Sequence, residues 1–325
     1  MAEKRLLIIH HGALGDLVVT FPALVRIKKR YDRVDILCQS NLGKMTRALG
    51  IVSNWLPLEA SSFASLYSDS ADSRAKNILQ AYHKFVVFSF SSALKTAIQK
   101  NTGKTVHLIS PRPDVSEQIH VTEHIFAGLT GCGLIEKTDS DRSGIFSRSR
   151  DSSRREGRRF DPKKVLIHPG SGSRRKLWHI SNFCKIHEKL SSDGFRPEFL
   201  FGPAEQFLVR ALTAEGNQPK TVHVVDELPE LLVLLETAGG FIGNDSGVSH
   251  LAAFMGLPTI AVFGPSDPAR WKPVGQSVEI VRPDLDCSPC FETDINDCEQ
   301  KACFGNTSPE TVLGAFYRVA SDRKE

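Results

Sequence analysis

Short apolar runs alternate with helix-like stretches along most of the chain. The pattern predicts a strand over residues 5–10, a glycine-bearing turn at 11–15, a helix over about 16–31 and a second strand at 34–39. That β-α-β opening is the signature of a parallel sheet with right-handed crossovers. Pro22 falls inside the helical stretch, where it either kinks the first turns or marks a late start. Further strands are predicted at 84–90 and 104–109.

The second half repeats the alternation. Strands are predicted at 164–168, 198–201, 221–224, 240–242 and 259–263, with helices at 181–193, 204–215, 228–238 and 246–255 between them. Gly256 and Pro258 follow the last of these helices in the order expected of a helix stop. Between the halves, residues 139–161 are rich in Ser, Arg and Asp and poor in apolar residues, which reads as an exposed linker. The expected division is an N-terminal Rossmann-like domain over 1–150, a basic linker over 151–162, a C-terminal Rossmann-like domain over 163–308 and a terminal helix over 309–325. Two strand–helix halves of similar size imply an α/β protein of two doubly wound parallel-sheet domains facing a central cleft.

Composition narrows the class. The 325 residues suit two domains, and 41% hydrophobic with 24% charged residues is a globular balance. A net charge of +4 suits anionic small molecules or an anionic surface and argues against a dedicated nucleic-acid binder. No apolar run approaches the roughly 18 residues needed to span a bilayer. The seven cysteines are an odd number for a fully bridged secreted protein, so the expectation is a cytoplasmic protein with reduced thiols.

Three turns carry candidate chemistry, each at the carboxyl end of a predicted strand, where open α/β sheets bind ligands. The first holds Gly12, Gly15 and Asp16. The glycines permit close backbone approach, while Asp16 also suits an ordinary helix N-cap. The second is His168-Pro169-Gly170-Ser171-Gly172, followed by Arg174, Arg175 and Lys176. Its hydroxyls and its lysine, a point-charge phosphate partner, suit an anion, but the spacing alone equally describes a solvated loop. The third is Asn244-Asp245-Ser246-Gly247 at a helix start, with His250 one turn on. Open N–H groups there favour phosphate. Neither G-x-G-x-x-G nor a Walker A pattern is present.

Taken in order, these pieces resemble the family 9 glycosyltransferases, the ADP-heptose:lipopolysaccharide heptosyltransferases. The resemblance rests on Gly15-Asp16…Thr20…Pro22-Ala23-Leu24, His168 to Gly172 with Lys176 and Trp178, Phe201-Gly202-Pro203…Glu205, Asn244 to Ala252, and Phe263-Gly264-Pro265. It implies a GT-B fold and an inverting transfer of heptose or a related sugar from an ADP-sugar to the lipopolysaccharide inner core. Asp16 is then the general base. Lys176, Ser246 and Gly247 face the leaving diphosphate, Glu205 the adenosine ribose and His250 the sugar or diphosphate. Gly15, Ser171, Gly172 and Asp245 complete the expected nucleotide-sugar set, with no cofactor or catalytic metal required. The terminal helix is implied to pack back on the N-terminal domain. Two departures stand out: Ser246 replaces the usual Thr, and Val19 stands where a His is common.

Cys287, Cys290, Cys298 and Cys303 are spaced C-x₂-C-x₇-C-x₄-C, which leaves structural zinc and plain thiols both open. The expected partners are an ADP-sugar donor and an anionic, membrane-bound lipopolysaccharide-core acceptor, which would bring peripheral docking on the inner face of the cytoplasmic membrane. Two alternatives remain: a GT-B epimerase acting on a UDP-sugar, and a catalytically silent sugar-nucleotide-binding module.

Overall fold

The structure is a computed structural model and describes residues 3–67, 72–136, 160–214, 221–283, 287, 289–292 and 302–321. The chain forms two compact units, Met1–Ile145 and Phe146–Glu325. Most of the predicted linker, residues 139–159, lies outside the described residues.

In the first unit, β1 (Arg5–His10), β2 (Arg33–Cys38), β3 (Asn54–Pro57), β4 (Lys84–Phe88) and β5 (Thr105–Ile109) form one parallel sheet in the order β3-β2-β1-β4-β5. Leu7, Ile9, Phe85 and Val87 are wholly buried in its core with Leu79 and Ile98 from flanking helices. The near-continuous apolar runs of β1 and β4 fit central strands covered on both faces. The single helix expected over 16–31 is two, Leu14–Val18 and Phe21–Lys28. Pro22 cannot donate a backbone hydrogen bond, so the chain restarts there, and the Thr20 hydroxyl donates to the Leu17 carbonyl at 2.6 Å across the break.

In the second unit, β6 (Asp161–His168), β7 (Arg196–Phe201), β8 (Val222–Val224), β9 (Ala238–Asn244), β10 (Thr259–Val262) and β11 (Val278–Val281) form a parallel sheet in the order β11-β10-β9-β6-β7-β8. The strand order reverses between β6 and β9, as it does between β1 and β4 in the first sheet. Such switch points open a crevice at the carboxyl ends of the strands.

In the terminal helix, Pro309–Ser321, Val312, Leu313, Ala315, Phe316 and Val319 are buried in the core of the second unit, against β10, β11 and the helix Ile180–Ser192. With that face already committed, the helix completes the layer over its own sheet. Among the described residues, no helix is long and apolar enough to cross a membrane.

Candidate functional site

Asp16 sits in the turn that leaves β1, on the switch-point side of the first sheet. It is not the N-cap, which is Ala13; it occupies the third helical position and folds back. Its Oδ2 accepts the Ala13 backbone N–H at 3.1 Å, and Oδ1 makes no hydrogen bond among the described residues. Gly12 is required by this fold-back, since a Cβ there would lie 2.6 Å from Asp16 Cβ and 2.8 Å from the His10 ring. His10, which the sequence marked only as a strand end, lies buried beneath the turn. Its Nδ1 accepts the Gly12 N–H at 3.2 Å, so the proton of the neutral ring is on Nε2, which is buried without a partner. Burial pushes its pKa down to about 4; the Asp16 backbone offsets part of this, and His11 adds a smaller lowering. The ring is neutral at pH 7.

The second unit assembles its candidates from four separate stretches. β6 ends at His168, and residues 169–178 turn over the carboxyl edge of the sheet. Asn244, at the end of β9 and wholly buried, ties this turn down at both ends. Its Nδ2 donates to the Pro169 carbonyl at 2.7 Å, and its Oδ1 accepts the Trp178 backbone N–H at 3.3 Å. Trp178 packs edge-on to Phe183 in the core. Ser171 adds a third tie, its hydroxyl donating to the Asp245 carbonyl at 2.8 Å.

Those ties bring Lys176 to Asp245. Lys176 Nζ lies 2.8 Å from Asp245 Oδ2, off the axis of a hydrogen bond, and 4.0 Å from the centre of the Phe291 ring. Ser246 caps the helix Gly247–Phe254, its Oγ accepting the Ser249 N–H at 3.3 Å. The backbone N–H groups of Ser246, Gly247 and Val248 make no hydrogen bond among the described residues and remain open donors at a helix start. His250 is buried within the same helix.

Glu205 approaches from the turn after β7. Its Oε2 accepts the Gly202 N–H at 2.6 Å, and its Oε1 lies 3.6 Å from His168 Nε2. His168 Nδ1 donates to the Leu200 carbonyl at 3.0 Å, which fixes the ring. A side chain on Gly170 would overlap the Glu205 carboxylate, so that glycine is what lets the two turns meet. Gly172 has open space at its Cβ position and is exposed beside the half-buried Ser171.

Arg174 and Arg175, whose roles the sequence left open, separate here. Arg174 stacks over Phe207, 4.9 Å from its ring centre. Arg175 Nη2 donates to the Cys290 carbonyl at 3.1 Å. The structure therefore gathers Ser171, Lys176, Asp245, Ser246 and Gly247 at the switch point of one sheet, with Glu205 against the neighbouring turn. Gly15 and Asp16 form their own constellation in the first unit. Sequence reasoning placed Asn244 in the third turn without giving it a role, and it gave Phe291 none.

The zinc expectation gains no support. Cys298 lies outside the described residues, Cys287 is exposed, and Cys290 and Cys303 are half-buried. Among the described residues, no group of three or more His, Cys, Asp or Glu side chains could hold a metal ion.

A family model described as glycosyltransferase family 9 (heptosyltransferase) matches residues 101–300. Lipopolysaccharide heptosyltransferase 3 of Escherichia coli strain K12 is 22% identical over 81% of this chain and 83% of its own. A glycosyltransferase family 9 crystal structure from Veillonella parvula superposes with a TM-score of 0.76 at 16% identity, covering 98% of each chain. The E. coli heptosyltransferase WaaC, solved with ADP, gives 0.72 at 16% identity, over 97% of this chain and 99% of that one.

Proposed function

The chain belongs to glycosyltransferase family 9, with the two parallel-sheet domains of the GT-B fold, and we propose that this glycosyltransferase moves heptose or a related sugar from an ADP-sugar to the lipopolysaccharide inner core, with inversion. The observation that carries the reading is the cluster at the β6/β9 switch point. An ammonium, Lys176, stands beside the open N–H groups of residues 246–248, and a carboxylate, Glu205, lies one turn away. Cation and N–H donors suit a diphosphate, and a carboxylate suits the paired hydroxyls of a ribose. The relative solved with ADP supports the choice of nucleotide.

In the proposed reaction the acceptor hydroxyl oxygen attacks the anomeric carbon from the face opposite the diphosphate. The bond from that carbon to the phosphate oxygen breaks, and its electron pair leaves with ADP. Asp16 takes the hydroxyl proton. Its Oδ2 is held by the Ala13 N–H, which leaves Oδ1 to accept. A carboxylate is a weak base for an alcohol, so the transfer occurs late, once the attacking oxygen has become acidic. Lys176 and the helix-start N–H groups stabilise the charge growing on the leaving group. Asp245 holds the lysine in place, and Ser171 and Asn244 fix the turn that carries it. His250 contributes from the same helix to the sugar or the diphosphate, and Gly15 and Gly172 keep backbone accessible in their turns. The acceptor places the enzyme's work at the inner face of the cytoplasmic membrane.

The test is ADP release from ADP-heptose with and without heptose-deficient lipopolysaccharide, with UDP-sugars run in parallel. Release that depends on both donor and acceptor is expected. Turnover of a UDP-sugar without acceptor would instead establish the epimerase alternative.

A further inference from the structure

Residues 290–292 are anchored more heavily than a surface segment requires. The N–H groups of Cys290 and Phe291 both donate to the Pro265 carbonyl, at 2.9 and 3.0 Å. Arg175 Nη2 holds the Cys290 carbonyl from the other side at 3.1 Å. Glu292 Oε2 accepts from Arg270 Nε at 2.9 Å and from Trp271 Nε1 at 3.0 Å, and Arg270 is itself buried. Two of these anchors come from the stretch after β10; the third is the immediate neighbour of Lys176.

The segment so anchored carries the half-buried Phe291 ring. It is no part of the apolar core of the second unit. It meets two cations instead, Lys176 Nζ at 4.0 Å and the Arg175 guanidinium at 5.6 Å from the ring centre. Both fall within the distance at which a ring face attracts a cation. A lysine on a flexible stem loses rotamer freedom whenever it must hold one position, so a site that needs its charge in one place must constrain it. Asp245 does so at the cost of neutralising the charge. The ring does so without neutralising it, because it carries no net charge to oppose an incoming anion.

We infer that residues 290–292 are part of the donor site and that Phe291 is a positioning residue, holding the Lys176 ammonium where it meets the diphosphate. The inference rests on the donor reading above. It assigns Arg175 the job of anchoring the segment and gives the Cys-Phe-Glu stretch a function that needs no metal at its cysteines.

The experiment is a titration of wild type, Phe291→Leu and Phe291→Tyr with ADP and with adenosine, each protein checked for an unchanged melting temperature. Phe291→Leu keeps the apolar bulk and removes the ring face. It is expected to weaken ADP binding about five-fold, the size of one partly desolvated cation–π contact. Adenosine, which lacks the diphosphate, should bind as before, and Phe291→Tyr should restore ADP affinity. In a Lys176→Met background the Phe291→Leu change should have no further effect on ADP, because the ring acts through the lysine. Unchanged ADP affinity in Phe291→Leu, equal losses for ADP and adenosine, or a full effect in the Lys176→Met background would each overturn the inference. Failure of wild type to bind ADP at all would overturn the donor reading, and this inference with it.

Discussion

The turn after β1 is held by its own neighbours, whereas the turn after β6 is held by groups brought from far along the chain. In the first, Gly12, Ala13, His10 and Asp16 settle the geometry among themselves. In the second, the Gly-Ser-Gly stretch and Lys176 depend on Asn244 and Asp245 at the end of β9, Glu205 after β7 and Phe291 near the chain's end. Both turns leave a switch-point strand of a parallel sheet. The difference matches the work proposed for each. One carboxylate that takes a proton can be aimed locally, but a diphosphate must be met from several directions, and only tertiary structure supplies them.

If that contrast is right, the second turn is the one that a distant substitution disturbs most. Asn244→Ala leaves the Pro169 carbonyl and the Trp178 N–H without their partner in a buried setting. The expected loss is about 3 kcal/mol of stability, read by chemical denaturation. A loss under about 0.5 kcal/mol would mean that the turn holds its own shape, as the first one does.

The first turn has a smaller, pH-linked signature. The folded-state pKa of His10 is lowered from 6.5 to about 4, so the unfolded chain binds the proton more tightly. This contribution to stability is present above pH 6.5 and is lost as pH falls through that window towards 4. By linkage it amounts to about 2 kcal/mol by pH 5. Denaturation at pH 7 and pH 5 should show a loss of that order in wild type and a shallower one in His10→Asn, whose short amide can still accept the Gly12 N–H. Equal slopes in the two proteins would remove His10 from the acid response.

Much of the fold was legible because strand–helix alternation is a local pattern. The short edge strands were not. β3 carries Trp55 and Pro57 in four residues, and β11 is Val-Glu-Ile-Val, so neither run is long enough to announce itself. The break at Thr20 was half legible, since Pro22 marked a disturbance but not where the second helix would begin. The burial of the terminal helix against β10 and β11 was not legible either, because amphipathic spacing shows that a face will be buried, not against what. The site divides along the same line. Asp16 could be found from its turn alone, although its place at the third helical position rather than the cap could not. The pairing of Lys176 with Asp245, the clamp at Asn244 and the ring of Phe291 are contacts between residues far apart in sequence, and no spacing rule within one stretch reports them.

The most direct test of the division of labour is made on one protein, Asp16→Asn, by measuring ADP affinity and acceptor-dependent ADP release together. Asn keeps an oxygen for the Ala13 N–H but cannot take the acceptor proton. The account predicts ADP affinity within about two-fold of wild type and turnover lower by about 10²- to 10⁴-fold, the range of a lost general base. Turnover close to wild type would contradict Asp16 as the proton acceptor, and a loss of ADP affinity equal to the loss of turnover would contradict the separation of the chemical carboxylate from the nucleotide site.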